Sequence, residues 1–290
     1  MNEIVSTADV GVLTLGRNAG EGGDRKEVDD FLLSDNEQAM LKQVAEAFHK
    51  AGKKLVVVMN IGGVIETASW KSAPDAIVLA WQGGQEGGNS VADILSGKVN
   101  PSGKLPMTFP VNLSDHAAHD NFPKNPTMMS ISGMLTDLVF PPDDKPEAEW
   151  VKDEDYTVYE EGVYVGYRHF DKHQLGVSYP FGYGMSYTNF EYGDAAVSVE
   201  NDTINVTLTV KNIGSAPGKE VVQVYAEKLN STIDRPVQEL KGFTKTSLLK
   251  PESLDSLSIQ IPVKELMYWD EASDAWKLDN GGYLIKIGAS

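Results

Sequence analysis

The chain has 290 residues, 41% of them apolar and 23% charged, a balance that excludes disorder and is long enough for two domains. Asp and Glu outnumber Lys and Arg by 42 to 25, and the resulting formal charge of −17 excludes nucleic-acid phosphates and anionic membrane surfaces as partners. The absence of cysteine excludes disulfides, thiolate metal sites and cysteine nucleophiles. A neutral substrate is compatible with this charge, which a solvated acidic surface explains equally well. No apolar run reaches the ~20 residues of a bilayer-spanning helix, and Met1 to Val10 has neither the basic start nor the apolar core of a secretory signal.

In chain order, Ala8 to Leu15 reads as a buried strand, broken by the glycine-rich stretch from Gly16 to Arg25. Ser34-Asp35-Asn36-Glu37 is a capping box, and Met40, Leu41, Val44 and Phe48 follow at helical spacing until Gly52. Leu55 to Met59 is a second, β-branched strand, followed by Asn60-Ile61-Gly62-Gly63 and a short helical stretch expected from Glu66 to Trp70. Ala76 to Trp81 is a third strand, with a glycine-rich loop from Gln82 to Gly88 and a helix from Ser90 to Leu95 closed by Gly97. Strands alternating with helices predict a parallel sheet, whose three loops then share one edge. Ligands bind along that edge in open α/β sheets, so topology alone brings Glu21, Asn60 and Glu86 near one another. Three strands are fewer than the five or six usual in such sheets, as though the fold began in its middle.

From Asn100 to about Tyr187 the periodicity weakens, and Pro101, Pro106, Pro110, Pro123, Pro126, Pro141, Pro142 and Pro146 mark an irregular connection. The period then becomes two: Ile204, Val206, Leu208 and Val210 alternate with polar residues, as do Leu257, Ile259 and Ile261. Further strands are expected at Val221 to Ala226, Gln238 to Thr246, Leu266 to Trp269 and Tyr283 to Gly288. Together they predict a fibronectin type III-like antiparallel sandwich of about seven strands. The expected fold is α/β followed by all-β. Residues 1–110 form a partial parallel-sheet α/β sandwich, 111–187 a connection wrapping the domains, and 188–290 the fibronectin type III-like domain.

Six ordered motifs carry a resemblance. They are Gly20-Glu21-Gly22-Gly23-Asp24-Arg25; Asn60-Ile61-Gly62 with Ile65-Glu66; Trp81-Gln82-Gly83-Gly84-Gln85-Glu86-Gly87-Gly88; Asn100-Pro101-Ser102-Gly103-Lys104-Leu105-Pro106; Tyr164-Val165-Gly166-Tyr167-Arg168; and Pro180-Phe181-Gly182-Tyr183-Gly184-Met185-Ser186-Tyr187. Together they cover nearly the whole chain and resemble the carboxyl-terminal part of glycoside hydrolase family 3, of the β-glucosidase type. The resemblance implies a three-part enzyme: a barrel carrying a nucleophilic Asp, an α/β sandwich carrying the acid/base, and a fibronectin-like domain. The family's acid/base glutamate falls on Glu21, and the aromatic residue usual after the first glycine of that segment is Gly23 here. The implied partners are a β-linked glycoside or oligosaccharide substrate and the barrel domain of the same enzyme, which has no counterpart in these 290 residues.

A lone glutamate in a glycine-rich loop is ordinarily solvated, so only the family pattern selects Glu21 as catalytic. Asp24 and Arg25 read as a loop-shaping pair, and Glu66 as a residue complementing a helix dipole at the border of the crevice. Trp70 and Trp81 are expected to pack rather than to bind sugar. No cofactor is expected, because Gly83 to Gly88 fits neither the dinucleotide nor the Walker spacing. No metal is expected either: His49, His116, His119, His169 and His173 show no ligand spacing. Tyr164, Tyr167, Arg168 and Phe170 are read as strand-like residues that dock domains. The competing reading of the whole chain is a non-catalytic carbohydrate-binding or structural accessory module.

Overall fold

A computed structural model of the chain describes residues 2–18, 25–119 and 159–289. It contains two compact units, one comprising Met1–Val91 and Phe109–Gly162, the other Ala92–Thr108 and Val163–Ser290.

The first unit is α/β. Its elements are α1 (Asn2–Thr7), β1 (Val10–Gly16), α2 (Asp35–Lys50), β2 (Lys54–Asn60) and β3 (Ala76–Leu79), followed by the start of α3 (Gly87–Leu95), whose last turn belongs to the second unit, and by the short strand β4 (Phe109–Pro110). The sheet is parallel in the order β1-β2-β3, with register from Val10↔Lys54 to Gly16↔Asn60 and from Val56↔Ala76 to Met59↔Leu79. Central strand β2 buries Leu55, Val57, Val58 and Met59, the near-continuous apolar run that a strand covered on both faces requires. Helix α2 starts at the Ser34 capping box and ends in a Schellman motif. There Gly52 takes φ +70°, its N–H reaches the His49 carbonyl, and the Lys53 N–H reaches that of Phe48. Phe48 packs onto β1 at Gly11, where a Cβ would meet its ring at 3.0 Å.

Two local expectations are corrected here. No helix forms from Glu66 to Trp70. The Glu66 N–H donates to the Phe31 carbonyl, its carboxylate accepts from Ser69, and its carbonyl accepts from Trp70 Nε1, so the segment closes as turns. Strand β3 ends at Leu79 rather than Trp81, because Trp81 takes φ +52°, which leaves the extended region.

The second unit is built on an antiparallel sandwich. Helix α4 (Tyr167–His173) and short strand β5 (Val177–Tyr179) precede β6 (Phe190–Glu200), β7 (Thr203–Asn212), β8 (Val221–Lys228), β9 (Glu239–Lys245) and β10 (Leu254–Pro262). A hairpin, β11 (Tyr268–Asp270) with β12 (Ala275–Lys277), and β13 (Tyr283–Gly288) complete it. The two sheets run β10-β7-β6 and β13-β8-β9. Ile204, Val206, Leu208 and Val210 of β7, Val222, Val224 and Ala226 of β8, and Ile259 and Ile261 of β10 form the shared core, the inward set that a period of two predicts. Tyr167 to Phe170 is helical, not strand-like. The three-residue step between these two aromatics suits one helix face, which buries Phe170 and stacks Tyr167 on Phe181 at 4.7 Å.

The motif from Asn100 to Pro106 is a clasp within this second unit. Asn100 Oδ1 accepts from Ser186 Oγ (2.9 Å) and the Tyr187 N–H (2.8 Å), while its Nδ2 donates to the Pro217 carbonyl (2.9 Å). Lys104 Nζ donates to the Gly184 carbonyl (2.8 Å) and pairs with Glu220 (3.1 Å), both side chains being largely buried. Gly184 is obligatory, since a Cβ there would lie 2.2 Å from the Gly103 carbonyl oxygen.

Candidate active site

Parallel register aligns the carboxyl ends of β1, β2 and β3, and hydrogen bonds carry the alignment past the strands. The Arg17 N–H donates to the Asn60 carbonyl (3.1 Å) and the Ala80 N–H to that of Met59 (2.9 Å). The loop after β2 lies between the other two. A Cβ on Gly63 would stand 3.3 Å from Arg25 Nη2, and one on Gly62 would stand 2.8 Å from Gln82 Nε2. Glycine at both positions lets the side chains of the neighbouring loops approach the backbone. The gathering of three loops on one edge, expected from topology, is present.

Arg17 organises the first loop. Its largely buried guanidinium donates through Nε to the Asp30 carbonyl (2.7 Å) and through Nη1 and Nη2 to the two oxygens of Glu37 (2.6 and 2.8 Å). This bidentate pair couples the end of β1 to the capping box of α2, because Glu37 also accepts from the Ser34 N–H (2.9 Å). Burial alone would push the Glu37 carboxyl up, but the hydrogen bonds from Arg17 and from the Ser34 backbone and hydroxyl outweigh it and hold the group below its ordinary value. On the far side of the loop, Arg25 forms an ion pair with Asp30, whose other oxygen accepts from the Lys26 N–H (3.0 Å). Asp30 thus gathers both flanks: its backbone binds Arg17 and its side chain binds Arg25.

Glu21 and Asp24 lie between these flanks and outside the described residues. Arg25 has Asp30 as its ion-pair partner, a pairing five residues apart in sequence that the sequence reading missed. Arg17 was missed as well, because its carboxylate partner is 20 residues away and nothing local marks it. Both oxygens of Glu66 are engaged by Ser69 (2.6 and 2.7 Å). Glu86 is exposed and accepts from Asn89 at the start of α3 (2.6 Å). Trp70 is buried, and Trp81 tilts against buried Phe109 with ring centroids 6.3 Å apart, so both pack. Among the described residues no cluster of three metal-ligating side chains occurs.

Residues 1–187 match the model of the glycosyl hydrolase family 3 C-terminal domain, and residues 220–290 that of the fibronectin type III-like domain. The chain belongs to glycoside hydrolase family 3. Beta-glucosidase B of Emericella nidulans is 40% identical over 238 residues, covering 81% of this chain and 26% of that protein. An exo-alpha-(1->6)-L-arabinopyranosidase of Bifidobacterium longum is 34% identical over 292 residues, covering 99% of this chain and 34% of that protein. The structure of beta-glucosidase 3B from Thermotoga neapolitana in complex with alpha-D-glucose superposes with a TM-score of 0.84 at 41% identity, covering all of this chain and 37% of that one. The family 3 chain therefore spans between about a quarter and two fifths of the length of these relatives.

Proposed function

We propose that this chain supplies the general acid/base of a retaining, exo-acting β-glucosidase-type hydrolase, with Glu21 as the proton donor. The observation that supports this most is the paired anchoring of the loop around residue 21. Arg17 and Arg25 both converge on Asp30, at the ligand-binding edge of a parallel sheet, in a chain whose relatives include glucose-bound beta-glucosidases. A retaining mechanism needs two carboxyl groups roughly 5 to 5.5 Å apart, one to attack the anomeric carbon and one to protonate the leaving oxygen and then activate water. Glu21 takes the second role, and the attacking carboxylate comes from the barrel domain of the complete enzyme. Domain closure over the loop would desolvate Glu21 beside a second carboxylate, and both effects raise its pKa toward that of a working acid. By itself the 290-residue chain is expected to be inactive.

The test is Glu21→Gln in the complete enzyme, assayed on an unactivated β-linked disaccharide. The expected result is a loss of turnover of about 10²- to 10⁴-fold, with the alkaline limb of the kcat/KM profile abolished. An unchanged rate and profile would instead favour a non-catalytic accessory role. Sugar preference is left to the barrel, which fits a family holding both beta-glucosidases and an arabinopyranosidase among its members.

A further inference from the structure

Helix α4 carries two of the five histidines four residues apart, His169 and His173. On a strand they would lie about 13 Å apart, at ~3.3 Å per residue. On the helix they share one face, about 6 Å apart along the axis at ~1.5 Å per residue, a spacing at which two imidazoles can hold one metal ion. Their rings have already converged. The centroids are 4.7 Å apart and the planes are tilted by 54°, so the rings do not lie face to face. With metal–nitrogen bonds of about 2.0–2.1 Å and roughly 1.1 Å from nitrogen to ring centre, two imidazoles sharing an ion at about 90–110° have centroids roughly 4.5–5.2 Å apart. The observed separation falls inside that range. His173 is exposed and His169 half-buried, so an ion can approach this face from solvent. An imidazole ligates through one nitrogen while the other donates to protein, so a hydrogen bond at one ring nitrogen leaves the ring a competent ligand.

The helix is anchored through its other side chains. Phe170 is buried, Tyr167 Oη accepts from the Leu240 N–H (2.7 Å), and Asp171 accepts from Gln238 (3.0 Å). Arg168 pairs with Glu239 (3.3 Å) and Lys172 with Asp234. These anchors fix the backbone that spaces the two rings, which lowers the entropy lost on chelation. They also pair with a carboxylate each of the two cations adjacent to the histidines in sequence, and the net charge of −17 favours a positive ligand. Imidazole nitrogens suit nickel, copper and zinc, whereas magnesium and calcium take oxygen ligands. Phe170 stands directly after the first histidine, where the hydrolytic zinc helix carries its general-base glutamate, so the arrangement is one for binding rather than catalysis.

We propose that His169 and His173 chelate one divalent transition-metal ion of the nickel, copper and zinc group, with solvent completing its coordination. This does not depend on the role proposed for Glu21, and the two ideas fail separately.

The test is calorimetric titration of the 290-residue chain, prepared without a histidine tag, with Zn²⁺ and Ni²⁺ and with Mg²⁺ as comparator. One saturable equivalent of at least one transition-metal ion is expected, and none of Mg²⁺. His169→Asn and His173→Asn should each weaken binding at least about tenfold, because a chelate becomes a single ligand. Since His173 is exposed, His173→Asn should keep the metal-free thermal midpoint, while the bound ion raises that midpoint only in the unsubstituted chain. Combining His173→Asn with Gln174→His keeps the number of histidines but moves the ring off the shared face, and should not restore binding; histidine tolerates the left-handed backbone of position 174. His116→Asn should leave the affinity unchanged. Absence of saturable binding by both Zn²⁺ and Ni²⁺, equal binding of Mg²⁺, affinity untouched in either single variant, recovery by the displaced histidine, or loss of binding in His116→Asn would each overturn the proposal.

Discussion

The sandwich core and the loop edge of the α/β unit are held together in different ways. In the sandwich, each strand presents every second residue inward, and Val206, Val210, Val222 and Val224 become fully buried with no polar partner required. At the loop edge, by contrast, the first of the three glycine-bearing loops is pinned by a few charged side chains: Arg17 on Glu37 and the Asp30 carbonyl, and Arg25 on the Asp30 carboxylate. The first arrangement is redundant, since many apolar contacts share the load. The second concentrates order in single groups, and it is the one next to the residue proposed to do chemistry. Rigid scaffolds bearing individually pinned loops are a common way of positioning reactive groups.

The contrast can be broken at either end. Val206→Asp places an unpaired carboxylate in the sandwich core and should cost more than about 4 kcal/mol, seen as loss of the cooperative urea transition. A cost near 1 kcal/mol would mean that the core is far looser than its burial indicates. Arg17→Met removes the partner of a partly buried carboxylate and should cost about 1–3 kcal/mol, discounted because Glu37 keeps some solvent contact. Amide exchange should rise mainly at residues 25–34 rather than in the sandwich, and uniform acceleration would contradict the local role.

The smallest effect is a pH dependence. Because the Glu37 carboxyl is held below its ordinary value in the folded chain, its contribution is fully present above the unfolded value and is lost as pH falls through the folded one. Glu37→Gln should therefore flatten the decline in stability below about pH 4.5 while retaining the wild-type shape at neutral pH, as followed by thermal melts. An unchanged acid slope would remove Glu37 from the account.

The same contrast decides what could be read from sequence. The β7 and β10 alternation, the Ser34 capping box and the β-branched run of β2 are local codes, and each became the element it predicts. Strand β6 was missed because its register shifts between Gly193 and Ala196 and most of it is exposed, which blurs the period of two. The three-residue step of Tyr164, Tyr167 and Phe170 is a helical spacing and not an alternating one, so the strand-like reading of this segment assigned the wrong period to a signal that the sequence does contain. At the loop edge, the strand ends and glycines were legible. The Arg17–Glu37 and Arg25–Asp30 pairs were not, since they join residues that only the fold brings together.

The most direct measurement is the leaving-group dependence of Glu21→Ala in the complete enzyme, across aryl glucosides whose phenols span a range of acidity. If Glu21 delivers the proton, glucosides of acidic phenols keep nearly wild-type rates of bond cleavage, and those of weakly acidic phenols fall by about 10²-fold or more, giving a steep slope. A uniform loss across the series, or none at all, would contradict the assignment.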